Sequence, residues 1–355
     1  MNSKQQRRNW PSEGGSTFDS SHRDDDWIGR MTGPQDTGAT ALDTAAPAGA
    51  EASGARRNET VVDASGTLRL GTLDVGRLGF GTMQLTGPGV WGPPEDRSRA
   101  IDVLKRAVAL GITLIDTADS YGPDVAEELV REALHPYPAG VVIATKAGLT
   151  RSGPDQWESC GRPEYLKSQC EGSLRRLDVD HIDLFQLHRI DPSVPADDQF
   201  GALKDLRDAG KVAEIGLSEV TVEQIEQARR VVPVVSVQNQ YNIAQRGADG
   251  VLQHCEDHGI GFIPWFPLAN GSLTGQGGPL DTVAADLGAT TSQISLAWLL
   301  RRSPVMLPIP GTSSPEHLDE NWAARTIALS DAQYSELTDA RKQVRRWALS
   351  SGAAG

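Results

Sequence analysis

From about Thr67 to Ala340 the chain alternates short apolar runs with longer stretches in which apolar residues recur every three or four positions. The short runs, at 78–83, 112–116, 140–146, 181–188, 212–218, 234–240, 261–265 and 306–311, have the length of strands and are apolar on both faces. The stretches between them are amphipathic. Ala100, Val103, Leu104, Ala107 and Val108 make one helical stripe that stops at Gly111, and Asp124-x-x-Glu127 resembles a capping box before Ala126, Leu129 and Val130. Helices are also expected at 163–177, 198–209, 222–231, 251–258, 292–302 and 315–324, with one more at 331–347. Ahead of these, Leu68 to Val75 alternates around Gly71-Thr72 as a short hairpin does. Eight doubly buried strands alternating with helices predict an α/β fold, a (β/α)8 TIM barrel with an N-terminal β-hairpin and an extra C-terminal helix.

Residues 1–60 break this pattern. They are rich in Ser, Gly, Asp, Arg and Ala, with few large apolar residues beyond Trp10, Phe18, Trp27 and Ile28, too little to offset the entropy of ordering. They are expected to be a disordered extension, with Met31 as an alternative start, and residues 61–355 to be the barrel domain. A net charge of −13 argues against nucleic acid or an anionic membrane as partner, and no apolar run reaches the length of a membrane helix. Cys160, Cys170 and Cys255 are an odd number without paired spacing, which suits a reducing, cytoplasmic setting.

Two motifs mislead. Gly87-Pro-Gly-Val-Trp-Gly92 matches G-x-G-x-x-G with Asp116 downstream. However, Pro88 lacks a backbone donor, and Pro93-Pro94 prevents a helix from opening there. A flexible loop over a pocket, with Trp91 as a wall, is the better reading. His254 and His258 stand at i and i+4, but a zinc site needs a further ligand, so a solvent-facing pair with no metal is expected. Neither G-x-S-x-G nor a Walker A loop is present.

In a parallel barrel, strand C-termini converge on one catalytic face. The second, third and fourth predicted strands end in Asp116, Lys146 and His188, and Tyr121 lies in the loop after the second. Charged groups ending three apolar strands are costly to desolvate unless they have a task. A phenol is a poor acid at neutral pH; a Lys146 ammonium held by Asp116 is expected to lower the Tyr121 pKa, and His188 to orient a carbonyl or share the proton. With an acid but no nucleophile, the set suits protonation of an alkoxide as hydride arrives.

These residues resemble the aldo/keto reductase superfamily. Leu114-Ile-Asp116-Thr-Ala-Asp-Ser-Tyr121-Gly, Thr145-Lys146 and Leu187-His188 match its Asp, Tyr, Lys, His tetrad. Gly216-Leu-Ser218, Val237-Gln238-Asn-Gln-Tyr241-Asn, Ile263-Pro-Trp265 and Ile309-Pro-Gly-Thr-Ser-Ser314 with Glu320-Asn321 match further motifs. Met83-Gln-Leu-Thr-Gly-Pro-Gly-Val-Trp-Gly-Pro-Pro94 is similar to the bacterial pyridoxal reductase branch. The resemblance implies reduction of a small-molecule aldehyde or ketone with NADPH, pyridoxal being the sharpest substrate expectation. It implies that Trp265 stacks on the nicotinamide, that Ser218 and Gln238 hold its carboxamide, and that Gly81, Thr82 and Met83 lie near the ring and ribose. Leu268, Asn270 and Gly271 would approach the pyrophosphate. Gly311, Thr312, Ser313 and His317, with Glu320 and Asn321, would hold the adenosine end. Three departures stand out. Glu219 replaces a frequent Asn, Gly311 and His317 replace cations often found near the 2′-phosphate, and the stretches 271–279 and after Asp339 are short. An NAD-dependent sugar or alcohol dehydrogenase, or a cofactor-sensing scaffold like channel β-subunits, are the alternatives.

Overall fold

The computed structural model describes residues 66–268 and 278–339. Strands β1 (Thr67–Leu70) and β2 (Leu73–Gly76) pair antiparallel across Gly71-Thr72, with Leu70 opposite Leu73. Gly71 has φ +60°, the left-handed geometry such a turn needs. The turn is pinned from below by Glu214, whose Oε1 accepts from Thr72 N at 2.7 Å and Thr72 Oγ1 at 2.8 Å.

The main sheet is parallel and seven-stranded, in the order β11-β10-β9-β8-β5-β4-β3. Its strands are β3 (Phe80–Gly81), β4 (Leu114–Asp116), β5 (Val142–Ala147), β8 (Ile182–Leu187), β9 (Val212–Ser218), β10 (Ser236–Gln240) and β11 (Gly261–Trp265). Residues 305–309 lie at the seam between its edges. Phe262 and Met306 form a parallel bridge, Leu307 N donates to Phe262 O, and Gly79 N donates to Pro308 O. The expected strand at 306–311 is therefore reduced to isolated bonds, because Pro308 and Pro310 have no N–H to extend a ladder. The first expected strand is likewise shortened to Phe80–Gly81, a 3-10 turn occupying Met83–Leu85.

Around the sheet run α1 (Arg97–Leu110), α2 (Val125–Leu134), α3 (Pro163–Leu177), α4 (Ala196–Asp208), α5 (Val222–Arg229), α6 (Asp249–His258), α7 (Pro279–Leu287), α8 (Thr291–Arg302) and α9 (Pro315–Ala323). Local chemistry sets their ends: Thr221 with Gln224 and Thr290 with Gln293 form capping boxes, and α1 stops on left-handed Gly111. The expected box at Asp124 does not form. Asp124 instead pairs with Arg176, and Glu127 turns inward to Thr145 and Arg176. Two elements were not anticipated: α7, and a hairpin of β6 (Leu149–Gly153) and β7 (Gln156–Ser159). Residues 331–339 are helical, and the rest of the helix expected to 347 lies outside the described residues, as do residues 1–60.

The core has an inner and an outer part. Leu114, Ala144, Leu184, Ile263 and Leu307 pack inside the sheet, where Leu70 and Val75 of the hairpin join them. Phe185, Leu203, Ile215, Trp298 and their neighbours fill the layer between sheet and helices. None of the described helices is long and apolar enough to cross a membrane.

Candidate active site

The C-terminal strand ends bring Asp116, Tyr121, Lys146 and His188 together. Lys146 and Asp116 are fully buried, and Lys146 Nζ donates to Asp116 Oδ2 at 2.6 Å. The same ammonium reaches Thr117 O at 2.9 Å and Tyr121 OH at 3.4 Å, so its three N–H groups have three acceptors. Asp116 Oδ1 accepts from Gln186 Nε2 at 3.1 Å and Gln238 Nε2 at 2.9 Å. The Tyr121 and His188 rings meet edge to face, 5.8 Å apart. Ser120 Oγ lies 3.2 Å from His188 Nδ1, which leaves Nε2 free for another partner.

Burial raises the Tyr121 pKa above its ordinary value, and the pull of Lys146 does not overcome it. The expected lowering is thus reversed, since a phenolate would be stranded without water. Burial also works against the Lys146 charge, but Asp116 and Tyr121 hold its pKa up, so the ammonium persists. His188 is driven well below the usual imidazole range by burial, then by Lys146, Arg189 and Arg151, and is neutral at pH 7. A neutral imidazole orients a carbonyl but has no extra proton to share.

Of the other expected residues, Gly81, Ser218 and Trp265 end β3, β9 and β11, and Gln238 lies in β10. Thr82 N donates to Asp116 O, while the Thr82 hydroxyl is buried with no partner among the described residues. Gly81 and Gly311 face each other so closely that a Cβ on Gly311 would lie 2.7 Å from Gly81 O, so their identity answers first to backbone packing. Met83 packs against the small cluster of Val90, Ala118, Tyr121 and Ala126. Ser218 Oγ accepts from Arg189 Nη1 at 3.1 Å. Glu219, in a left-handed conformation, accepts from both Trp265 Nε1 and Gln240 N at 2.6 Å. The residue noted as a departure therefore fixes the indole expected to stack on a nicotinamide. Leu268 packs against the outer core, and Asn270 and Gly271 lie outside the described residues.

At the seam, Ser314 caps α9 by accepting from His317 N, and its neighbour Thr312 accepts from Ser314 N. Thr312 and Asn321 are buried, whereas Ser313, His317 and Glu320 are exposed. The loop 87–92 is not the loose flap anticipated. Gly87 N donates to Gly92 O, and Gly92 N to Gly122 O, which ties it to the Tyr121 loop. His254 is not solvent-facing as expected; it bonds Glu226 at 3.0 Å and stacks with His258. Glu226 is also paired with Arg229. A concavity of about 700 Å³ lined by His135, Tyr137, Ile143 and Asp183 lies at the opposite strand ends, away from the tetrad.

A family model described as the aldo/keto reductase family matches residues 77–342. The chain belongs to the aldo/keto reductase family. It is an oxidoreductase, 52% identical over 285 residues to an uncharacterized oxidoreductase of Schizosaccharomyces pombe, covering 80% of this chain and 93% of that one. It is 45% identical over 279 residues to the pyridoxine 4-dehydrogenase of Escherichia coli, covering 77% and 97% respectively. A solved aldo-keto reductase from Klebsiella pneumoniae in complex with NADPH superposes with a TM-score of 0.65 at 29% identity, over 77% of this chain and 93% of that one.

In this aldo/keto reductase, motif reading passed over Ser120, Gln186, Arg189, Arg151 and Trp157. Ser120 lay inside the quoted Tyr121 motif, and Arg189 directly follows His188. Either signal was available. Arg151 and Trp157 belong to the unanticipated hairpin and were not.

Proposed function

We propose that this chain reduces an aldehyde or ketone to an alcohol with NADPH, pyridoxal to pyridoxine being the first substrate to test. The observation that carries the reading is the buried Asp116–Lys146–Tyr121 chain beside a neutral His188. When bound, the cofactor supplies the hydride. Tyr121 supplies the proton: its raised pKa keeps the phenol intact until a strongly basic alkoxide develops beside it. Lys146 retains its charge and steadies the phenolate left behind, Asp116 anchors Lys146, and His188 donates from Nε2 to the carbonyl oxygen.

The residues present fit a nicotinamide cofactor. The Thr82 hydroxyl is a buried polar group awaiting a partner, Ser218 keeps its own hydroxyl hydrogen to donate, and Trp265 is held rigid by Glu219. The capped N-terminus of α9 is where a phosphate is stabilised by backbone N–H groups. One observation favours a second reading with NADH. The carboxylate of Glu316 sits in the first turn of α9, bonded to Ser314 Oγ and 3.7 Å from Arg99, where it opposes a 2′-phosphate. We further assign residues 305–309 as the eighth barrel strand, the helical residues 331–339 to an extra helix, and residues 1–60 as dispensable for turnover. Oxidation of NADPH and NADH against an aldehyde panel including pyridoxal tests the reading. Turnover with neither cofactor on any carbonyl overturns it.

A further inference from the structure

The hairpin β6–β7 places Arg151 directly opposite Trp157 in its register, beside a bulge between Arg151 and Gly153. The Arg151 guanidinium lies 3.6 Å from the centre of the Trp157 ring, with Trp91 at 5.7 Å. All of its N–H groups are spent on main-chain carbonyls. Nε donates to Gln156 O at 2.9 Å; Nη1 donates to Val90 O at 2.8 Å and Ser120 O at 2.9 Å. Nη2 donates to Gly89 O at 2.8 Å and Gly153 O at 3.2 Å. Five donors meet five carbonyls from three separate segments: the 87–92 loop, the Tyr121 loop and the hairpin itself.

That arrangement has consequences for the acid. Ser120, whose carbonyl Arg151 holds, bonds His188 Nδ1 through its side chain and precedes Tyr121 in the chain. Trp157 stands edge-on to Tyr121 (6.4 Å, 83°) and to His188 (6.4 Å, 72°). Its indole N–H is buried with no acceptor among the described residues, and stacking and packing set its orientation. Three nearly perpendicular rings therefore form one corner at the reacting groups, and the Arg151 guanidinium braces it from the hairpin side. Burial lowers the Arg151 pKa to about 10, which leaves the guanidinium charged at neutral pH.

Resting on the reductase reading above, we propose that Arg151 is the positioning residue for Tyr121 and His188, and that Trp157 is a specificity wall selecting flat, conjugated aldehydes over small aliphatic ones. A planar ring attached to the carbonyl packs against indole, whereas a short alkyl chain leaves that wall unused.

The test uses the full chain with NADPH, comparing benzaldehyde and pyridoxal with propanal. Arg151→Lys keeps the charge but cannot span five carbonyls. It is expected to lower kcat at least about tenfold for every aldehyde while KM for NADPH stays put. Trp157→Leu is expected to raise KM for the aromatic aldehydes about tenfold and leave that for propanal within about twofold. Independently of turnover, the ¹⁵N imidazole signals of His188, assigned with His188→Gln, are expected to shift in Arg151→Lys. An unmoved His188 signal together with wild-type kcat in Arg151→Lys overturns the positioning role. Equal effects of Trp157→Leu on aromatic and aliphatic substrates overturn the specificity role. A shifted His188 signal in a protein that turns over no aldehyde upholds the positioning role while removing the reductase reading and, with it, the specificity wall.

Discussion

Replacing Lys146 by Met removes the ammonium from a site where neither it nor Asp116 touches solvent. The Asp116 carboxylate would then keep its two amide donors, Gln186 and Gln238, on Oδ1, and lose its charged partner on Oδ2. Thr117 O and Tyr121 OH would lose a donor as well. Leaving one member of a buried ion pair uncompensated costs about 3–5 kcal/mol. For a domain of this size the expected fall in Tm is of the order of 10 °C. Asp116→Asn should cost a similar amount, because it strands the ammonium instead. The double variant removes both charges, keeps the amide contacts to Asn, and should be more stable than either single variant. Thermal and urea melts of the four proteins measure this directly. Losses in the double variant equal to the sum of the singles would refute the pairing, and a Tm for Lys146→Met within about 2 °C of wild type would refute the uncompensated burial.

Tyr121→Phe should lower kcat/KM for carbonyl reduction by about 10²–10⁴ while leaving NADPH binding, read by fluorescence quenching, nearly intact; retained turnover would remove Tyr121 as proton donor. With Tyr121 raised and His188 lowered, neither group titrates between about pH 6.5 and 10, so kcat for reduction should be flat across that range. A limb near pH 8 would contradict at least one of the two directions. Asp119 is buried, neither carboxyl oxygen has a hydrogen-bond partner among the described residues, and burial, reinforced by Glu127, raises its pKa well above the usual range. A raised carboxyl pKa gives stability that is full below its unfolded value of about 3.9 and is lost as pH climbs toward the folded value. Asp119→Asn should therefore gain in Tm relative to wild type as pH rises from 5 to 9, and a constant difference would show that Asp119 carries no such proton. Glu316→Lys should shift the kcat/KM ratio toward NADPH over NADH, and an unchanged ratio would place the discriminating group elsewhere.

Periodicity was a reliable guide wherever one local rule acted alone. The helix Pro163–Leu177 was legible to the residue because Pro163 starts it at N1 and its apolar stripe is unbroken. The hairpin at Gly71-Thr72 was legible because a two-residue turn admits few alternatives. It failed where a residue had two claims on it. Pro308 and Pro310 lie in an apolar run, yet cannot donate to a sheet. Asp124 and Glu127 have capping-box spacing, but Arg176 on a neighbouring helix takes both. The β6–β7 hairpin is short, polar and exposed along much of its length, so no apolar alternation marks it.

Strand ends in Asp116, Lys146 and His188, with Tyr121 close behind, are enough to place a carboxylate, an ammonium, an imidazole and a phenol at one end of the sheet. A chain read linearly carries residue types and spacings, and those specify which groups arrive together. How the groups behave on arrival depended on packing. Burial, a property of the assembled core, outweighed Lys146 and raised rather than lowered the Tyr121 pKa. Three of the five carbonyls that Arg151 holds, those of Gly89, Val90 and Ser120, are far away in the chain, and only folding makes them its neighbours. Desolvation and the meeting of distant carbonyls both belong to the three-dimensional arrangement, and neither has a linear trace.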